Sequence, residues 1–195
     1  VKSSLISSLG SLSESERRKI ILQSLTEEQA EELLWDWRTW ARPDQIPPPG
    51  DWLTWLILAG RGYGKTKTGA ETIRKWACGP TPLAAGQYRR FLLIAETAAD
   101  ARDVMVEGEQ SGLLALLPNQ LLRGGSVDRA WNRSLGELHL ANGSHFSTYS
   151  SERPEQLRGP QHHYAWADEL AVWEDAYLGN VLNTAEAKQA PLDTA

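Results

Sequence analysis

The hydrophobic positions of this chain follow two periods, one typical of strands and the other typical of helices. Short apolar runs at residues 55–58, 91–95 and 163–167 predict buried strands. Residues 67–76 predict a helix between the first two runs, and residues 97–108 predict a second helix capped by a threonine. Strands that alternate with helices indicate an α/β fold, with a mainly parallel sheet and helices on both of its faces.

Two further patterns complete the predicted elements. Capping boxes that begin at Ser13 and Thr26 predict two helices near the start of the chain. The second helix keeps its apolar spacing through Trp37 and is broken at Pro43. Residues 137–146 alternate around an Asn-Gly pair, which predicts a β-hairpin.

The clearest chemical signal is a glycine-rich loop between the first predicted strand and its helix. Strand, glycine-rich loop ending in Gly-Lys-Thr, and helix is the order of a phosphate-binding P-loop, and so of a P-loop NTPase with a three-layer sandwich. Backbone N–H groups of the loop and of the helix N-terminus would bind the phosphates of ATP. Lys65 would reach the β- and γ-phosphates, and Thr66 would bind Mg²⁺. The loop consists of Ala59, Gly60, Arg61, Gly62, Tyr63, Gly64, Lys65 and Thr66.

This loop departs from the usual pattern at one position. Ala59 stands where the pattern has its first glycine, although Gly62 offers a permissive backbone inside the loop. The alternative is a chance Gly-Lys-Thr in a surface loop. The flanking strand and helix favour the phosphate-binding interpretation.

Two acidic residues end the last predicted strand. An ATPase with such a loop needs a carboxylate beside the metal and a base that orients the attacking water. Asp168 would hold Mg²⁺, directly or through water, and Glu169 would be the general base. Alone, an apolar run before Asp-Glu is a weak signal. Together with a phosphate-binding loop in the same chain, it is a much stronger one.

Composition narrows the class of protein. The chain has 195 residues, enough for one domain or for one domain and an arm. Its 20 basic and 25 acidic residues give a formal charge of −5, which argues against a surface coated in positive charge, although a local patch or a ring of copies could still contact DNA. Cys78 is the single cysteine, and no apolar run is long enough to span a bilayer. We therefore expect a soluble intracellular protein without membrane association.

Taken together, these segments resemble the ATPase domain of the large terminase subunit, the DNA-packaging motor of tailed phages and related gene-transfer particles. The resemblance covers roughly residues 30–180. It rests on the loop and the acidic strand end described above and on three further segments, which are residues 40–52, 103–112 and 155–162.

The resemblance implies roles for residues that the patterns alone do not assign. Arg61 matches an arginine thought to sense or stabilise the γ-phosphate. Arg158 matches a position proposed as an arginine finger that reaches a neighbouring subunit, and the alternative is a loop arginine that pairs with Glu155 or Asp168. Gln45 and Arg42 belong to a segment for which two roles are open, contact with adenine or support of the segment itself.

The resemblance also implies partners and a location. These are double-stranded DNA, the portal protein of the procapsid, the small terminase subunit and further copies in a homo-oligomeric ring, all in the host cytoplasm. We divide the chain into a helical arm at 1–42, an ATPase core at 43–182 and a polar tail at 183–195.

The polar tail is where the chain departs from the family. It stands where family members continue into a coupling strand and a nuclease domain, so we expect a truncated or frameshifted product. The alternatives are a helicase-like translocase and a nucleotide-binding interaction module without turnover.

Overall fold

The computed structural model describes residues 13, 16, 19, 26–79, 86, 88–159, 161–170 and 173. The chain divides into two compact units, Val1–Ile46 and Pro47–Ala195. The capping box predicted at Ser13 is present, because Ser13 N–H donates to Glu16 Oε2 at 2.9 Å and Glu16 N–H donates to Ser13 Oγ at 3.4 Å. Most of the helix predicted after it, and the predicted tail at 183–195, lie outside the described residues. The predicted domain boundaries stay predictions.

Residues 26–46 of the first unit contain two short helices. Helix α1 (Glu27–Trp35) begins at a capping box, in which Thr26 Oγ1 accepts a hydrogen bond from Gln29 N–H at 3.3 Å. The Thr26 prediction is therefore confirmed. One continuous helix was expected as far as Pro43, but α1 ends at Trp35 and α2 spans Trp37–Trp40. The reason is that Asp36 adopts an extended backbone and uses its carboxylate to cap the second helix.

The second unit is built on a five-stranded sheet. Its order is β2-β3-β4-β1-β5, and β1 runs parallel to both β4 and β5. The pairs β2–β3 and β3–β4 are antiparallel. The strands are β1 (Arg90–Ala95), β2 (Trp131–Asn132), β3 (Glu137–His139), β4 (His145–Ser150) and β5 (Tyr164–Ala167).

This sheet confirms the α/β class, and its two longer ladders, β1–β4 and β1–β5, are parallel. The three-layer P-loop sandwich stays a prediction. Within the described residues the sheet is mixed, because the predicted hairpin forms and turns the chain back on itself between β3 and β4. Gly143 has a φ of 86° in that turn, a conformation that favours glycine. The predicted strands at 91–95 and 163–167 are confirmed to within one residue at either end.

Helices and turns connect the strands. Helix α3 (Lys65–Ala77) confirms the helix predicted after the glycine-rich loop and is longer than the predicted span. The helix predicted over 97–108 is α4 (Ala98–Asp100), which continues as a π-helix over Ala101–Val106. The remaining helices are α5 (Leu113–Leu116) and α6 (Val127–Ala130), with 3₁₀ turns at Pro43–Gln45, Asn119–Leu121, Arg123–Gly125 and Pro154–Arg158.

Both faces of β1 are buried. On one face, the ring of Phe91 stacks against that of Phe146, with 5.1 Å between ring centroids. Leu92 and Ile94 face the other side and join a core cluster with Leu157. This arrangement makes β1 the central strand of the parallel part of the sheet.

The strand predicted at residues 55–58 does not form. This stretch contains no strand, and Leu56 and Leu58 are 56% and 86% exposed. A strand needs a neighbour that completes its hydrogen-bond ladder, and β5 pairs with β1 alone among the described residues. The expectation of a buried strand at residues 55–58 is therefore wrong. The ring of Trp55 instead lies 6.3 Å from that of Trp52.

Helix α3 lies close to β5 at Gly69. A Cβ atom at this position would overlap the indole of Trp166. Gly69 lies one helical turn after Thr66, and Trp166 lies two residues before Asp168. The missing side chain therefore sets how near the start of the helix comes to the end of the strand.

We expect Gly69→Ala to lower the free energy of unfolding by about 1–3 kcal/mol, because the added methyl group overpacks the contact with Trp166. Denaturant unfolding measures this change. Gly60→Ala is the matched control, since a Cβ there meets no atom within 4 Å. In a Trp166→Leu background the same alanine should be neutral or stabilising, since alanine is the better helix former. A stabilised single variant would contradict the close fit.

Candidate functional site

The glycine-rich loop ends in an uncapped helix N-terminus. Gly62 and Gly64 have φ angles of 80° and 89°, in the left-handed region that favours glycine. Gly64 is the N-cap of α3, and because glycine has no side chain it leaves the first turn without a side-chain cap. The first N–H groups of a helix have no partner within the helix, and its dipole favours negative charge there. The loop is therefore suited to an anion such as phosphate.

Lys65 folds back over this loop. Its Nζ donates hydrogen bonds to the carbonyl oxygens of Ala59, at 3.0 Å, and of Gly60, at 3.1 Å. The two bonds tie the start of the loop to the start of the helix and hold the ammonium group beside the loop. Among the other loop residues, Arg61 is exposed and Tyr63 is half-buried.

A single hydrogen bond joins the loop helix to the acidic strand end. Thr66 Oγ1 donates to Asp168 Oδ2 at 3.1 Å across 102 residues of sequence. Asp168 is held from its own side as well, because its N–H donates to the carbonyl oxygen of Ile94 at 2.9 Å and so continues the ladder of β1 and β5. The hydroxyl and the carboxylate predicted to bind Mg²⁺ thus lie in contact.

Glu169 turns the chain away from the strand. Its φ is 52°, which is an uncommon and strained conformation for a residue with a side chain. Its N–H donates to Asp168 Oδ1 at 3.2 Å, and its side chain is exposed. Strained backbone of this kind clusters at functional sites, so the turn supports a role for this residue.

A cleft of about 420 Å³, part of it open to solvent, lies beside these residues. Glu96 and Asp100 line it, although the sequence patterns did not single them out. Glu96 directly follows β1, and the rule that parallel strands direct their carboxyl ends toward a ligand could have found it. The π-helix contributes Val104 and Met105, and such helices are frequent at functional sites. The full lining is Thr66, Ala95, Glu96, Asp100, Val104, Met105, Asp168 and Glu169.

Burial raises the pKa of Asp168 above its usual range. The hydrogen bonds from Thr66 and from Glu169 N–H, together with the charge of Lys65, oppose this effect but do not outweigh it. Asp168 is thus a carboxylate whose charged form is unfavourable in the free chain, and a nearby cation would favour it.

The structure adds no evidence for the predicted roles of Gln45 and Arg158. Gln45 is buried in the first unit, where its Oε1 accepts a hydrogen bond from Arg42 N–H at 3.0 Å. Arg158 is the last residue of a 3₁₀ turn, and its side chain lies outside the described residues. Their proposed roles stay predictions.

Comparison with known families and proteins gave one match. A family model described as terminase large subunit, T4likevirus-type, N-terminal, matches residues 56–187, which is more than half of the chain. Searches of curated proteins and of solved structures found no significant match. Within the part of the chain that the structure describes, every helix is too short or too polar to cross a membrane.

We expect Asp168→Asn to stabilise the chain near neutral pH in the absence of ligand, because the folded state disfavours the charged carboxylate. The raised pKa means that the folded state binds the proton more tightly than the unfolded state. The contribution of Asp168 to stability is therefore present in acid and is lost as the pH rises from its ordinary pKa of 3.8 through the raised one.

Urea unfolding of both proteins between pH 3.5 and 7 measures this difference. The advantage of the variant should shrink as the solution becomes acidic. Asp128→Asn, at an exposed position, controls for the loss of one negative charge. A wild-type chain that gains stability over Asp168→Asn with rising pH would contradict the prediction.

Proposed function

Because this chain belongs to the terminase large subunit family, matching its T4likevirus-type N-terminal domain, we propose that it binds and hydrolyses ATP with Mg²⁺. In this proposal it is the P-loop module of a motor that drives double-stranded DNA into a viral procapsid. The observation that carries the proposal is the 3.1 Å hydrogen bond between Thr66 and Asp168. It joins a loop suited to phosphate to a carboxylate suited to a cation.

The donor atoms at this contact suit magnesium. Mg²⁺ prefers oxygen ligands and is usually held by one or two protein groups together with phosphate oxygens and water. Thr66 and Asp168 offer one hydroxyl and one carboxylate. Within the described residues no group of three or more His, Cys, Asp and Glu side chains could hold a metal. This supports a shared magnesium–phosphate site rather than a metal cage made by protein alone.

Lys65 would act on the phosphates in the ground state. Its Nζ lies over the loop, bound to two carbonyl oxygens, and would turn toward a phosphate that occupies the loop. The glycine N–H groups and the helix N-terminus would hold the same phosphate. When bound, Mg²⁺ neutralises phosphate charge, and Thr66 and Asp168 would fix its position.

Glu169 would act on the attacking water. It is exposed at the cleft, one residue from the metal-binding carboxylate, and its own N–H holds Asp168 Oδ1. The base would accept the proton of the water as that water attacks the γ-phosphate. Arg61, exposed in the loop, would stabilise charge on the transferring phosphoryl group.

We expect Lys65→Ala to abolish tight ATP binding and Glu169→Gln to preserve it while turnover falls about 10²–10⁴-fold. The lysine neutralises phosphate charge in the bound nucleotide, whereas the glutamate acts only when water attacks. Titration with a fluorescent ATP analogue measures binding, and phosphate release measures turnover. Lys67→Ala, two residues further along the helix, is the control. Normal turnover by Glu169→Gln would exclude this residue as the base.

We expect Arg158 to complete the site of a neighbouring subunit. Mixing Arg158→Ala with Glu169→Gln subunits, in a ring-forming large subunit that carries this domain, should restore part of the ATPase activity. Some interfaces of a mixed ring then join an intact Glu169 to an intact Arg158. An arginine finger contributes about 10³–10⁵ in rate, so the rescue should be measurable. An arginine that acts within its own subunit would give no rescue at any mixing ratio.

A second candidate function is nucleotide binding without turnover. One observation favours it, namely that the segment before the loop forms no strand with β5 within the described residues. A loop that is not anchored in the sheet holds its catalytic groups less firmly. The same pair of measurements separates the two candidates, because a module without turnover would bind ATP in the wild type and release no phosphate.

The wider setting of this module is part of the same proposal. Family membership supports DNA, the portal protein of the procapsid, the small terminase subunit and further copies of the large subunit as partners. It also supports action in the host cytoplasm, where packaging substrates are found.

A further inference from the structure

The two ends of the parallel strands carry opposite charge. Acidic residues gather at the carboxyl ends, where Glu96, Asp168 and Glu169 line the cleft. At the amino ends the chain carries two arginines and two histidines instead. We call this second group the amino-end patch, and it consists of Arg89, Arg90, His145 and His163.

Backbone hydrogen bonds hold the patch together across three adjacent strands. His145 N–H donates to the carbonyl oxygen of Arg89 at 2.7 Å, and His163 N–H donates to that of Arg90 at 2.8 Å. The Nδ1 atom of His163 in turn accepts a hydrogen bond from Arg90 N–H at 3.1 Å. Neighbouring strands lie about 4.8 Å apart, so the patch extends over roughly 10 Å.

The side chains of the two patch arginines are not engaged by acidic groups of the described residues, although Arg89 Nη1 donates a hydrogen bond to the carbonyl oxygen of Asn142 at 3.2 Å. Arg89 and Arg90 are exposed, and no carboxylate in the described part of the chain forms an ion pair with either of them. In contrast, Arg102 and Arg133 both contact Asp103 within 3 Å.

The sequence around the patch explains why these arginines have no acidic neighbour. No Asp or Glu occurs at residues 72–95, 138–151 or 156–167, the stretches that lead into β1, β4 and β5 or contain them. The nearest acid along β3 is Glu137, which contacts His139 at 3.2 Å. In a chain with a formal charge of −5, this leaves a local concentration of positive charge.

The chemistry of the patch suits phosphate groups in a row. Guanidinium groups bind phosphate oxygens in pairs, and Arg89 and Arg90 place two of them next to each other in sequence. A width of roughly 10 Å corresponds to two or three consecutive phosphates, which rise about 3.4 Å each along one strand of a duplex. The patch and the cleft lie at opposite ends of a strand of six residues, about 20 Å apart. Nucleotide and a second anionic partner could therefore bind together.

We propose that the amino-end patch is a surface on which this chain contacts the phosphate backbone of double-stranded DNA. The choice of DNA as the anion rests on the proposed function, whereas the phosphate chemistry rests on the patch itself. Contacts of this kind fix position on the duplex and carry no sequence information. They also depend strongly on salt, because each one releases counterions from the DNA.

The test compares the full chain with the double variant Arg89→Gln, Arg90→Gln. Fluorescence anisotropy with a labelled 30-base-pair duplex measures affinity between 25 and 200 mM NaCl. We expect the double variant to bind about 10–100-fold more weakly at low salt. Its slope of log affinity against log salt should be smaller by about two, roughly one for each lost phosphate contact.

The matched control is Arg38→Gln, Arg153→Gln, which removes the same charge from two exposed arginines outside the patch. This control should bind DNA as the wild type does. If it weakens binding equally, net charge and not the patch governs binding, and the proposal fails. Thermal unfolding checks that both variants are folded. If the double variant does not fold, Arg90→Gln alone takes its place, and its slope should be smaller than that of the wild type by about one.

Three further outcomes separate this proposal from the proposed function. A wild-type chain that binds ATP but not the duplex overturns the patch and leaves the ATPase proposal intact. A chain that binds the duplex through the patch but binds no ATP overturns the ATPase proposal and leaves the patch intact. If poly-glutamate displaces the duplex as effectively as unlabelled duplex does, the patch recognises acidic protein, and DNA as its partner is overturned.

Discussion

The contact between Thr66 and Asp168 is the interaction on which the rest of this site depends. The two residues are 102 positions apart, and they meet because two separate constraints hold their elements together. Helix α3 lies close to β5 where Gly69 has no side chain to collide with Trp166. Asp168 is fixed by the ladder to β1, through its bond to Ile94. Relaxing either constraint would separate the loop from the carboxylate.

The site is arranged for a ligand at some expense to the stability of the free chain. Burial disfavours the charge of Asp168, and Glu169 adopts a backbone conformation that most side chains avoid. The ammonium group of Lys65 donates its hydrogen bonds to two loop carbonyl oxygens instead of to a ligand. Unfavourable terms that gather in one place are common at functional sites, where bound charge can offset them. The remainder of the second unit shows ordinary packing, with an apolar core on both faces of β1.

The separation of charge along the parallel strands gives the domain two chemically distinct ends. An acidic end suits a cation with phosphate, and a basic end suits a polyanion alone. Both ends are products of the same topology, because parallel strands gather all their carboxyl ends at one edge and all their amino ends at the other. The proposed ATP site and the proposed DNA surface would lie at these two ends.

Much of the local structure could be predicted because its signals are local. The Asn-Gly turn, the capping box at Thr26 and the glycine-rich loop before α3 depend on residues a few positions apart, and all are present. The strand expected at residues 55–58 is absent, because an apolar run indicates burial but does not supply a hydrogen-bonding partner. The π-helix was also missed, since its extra residue per turn follows from packing and leaves no mark in periodicity.

The sequence by itself determined which residues are candidates for the site, since the spacing of the glycine-rich loop and the adjacent pair of acids can be read from the chain directly. Only the tertiary structure decided which of them meet. It joined Thr66 to Asp168, brought Glu96 to the same cleft and aligned Arg89 and Arg90 with His163. The physical reason is that these contacts depend on strand order and on helix-to-sheet distance, and both are set by packing between residues far apart in sequence.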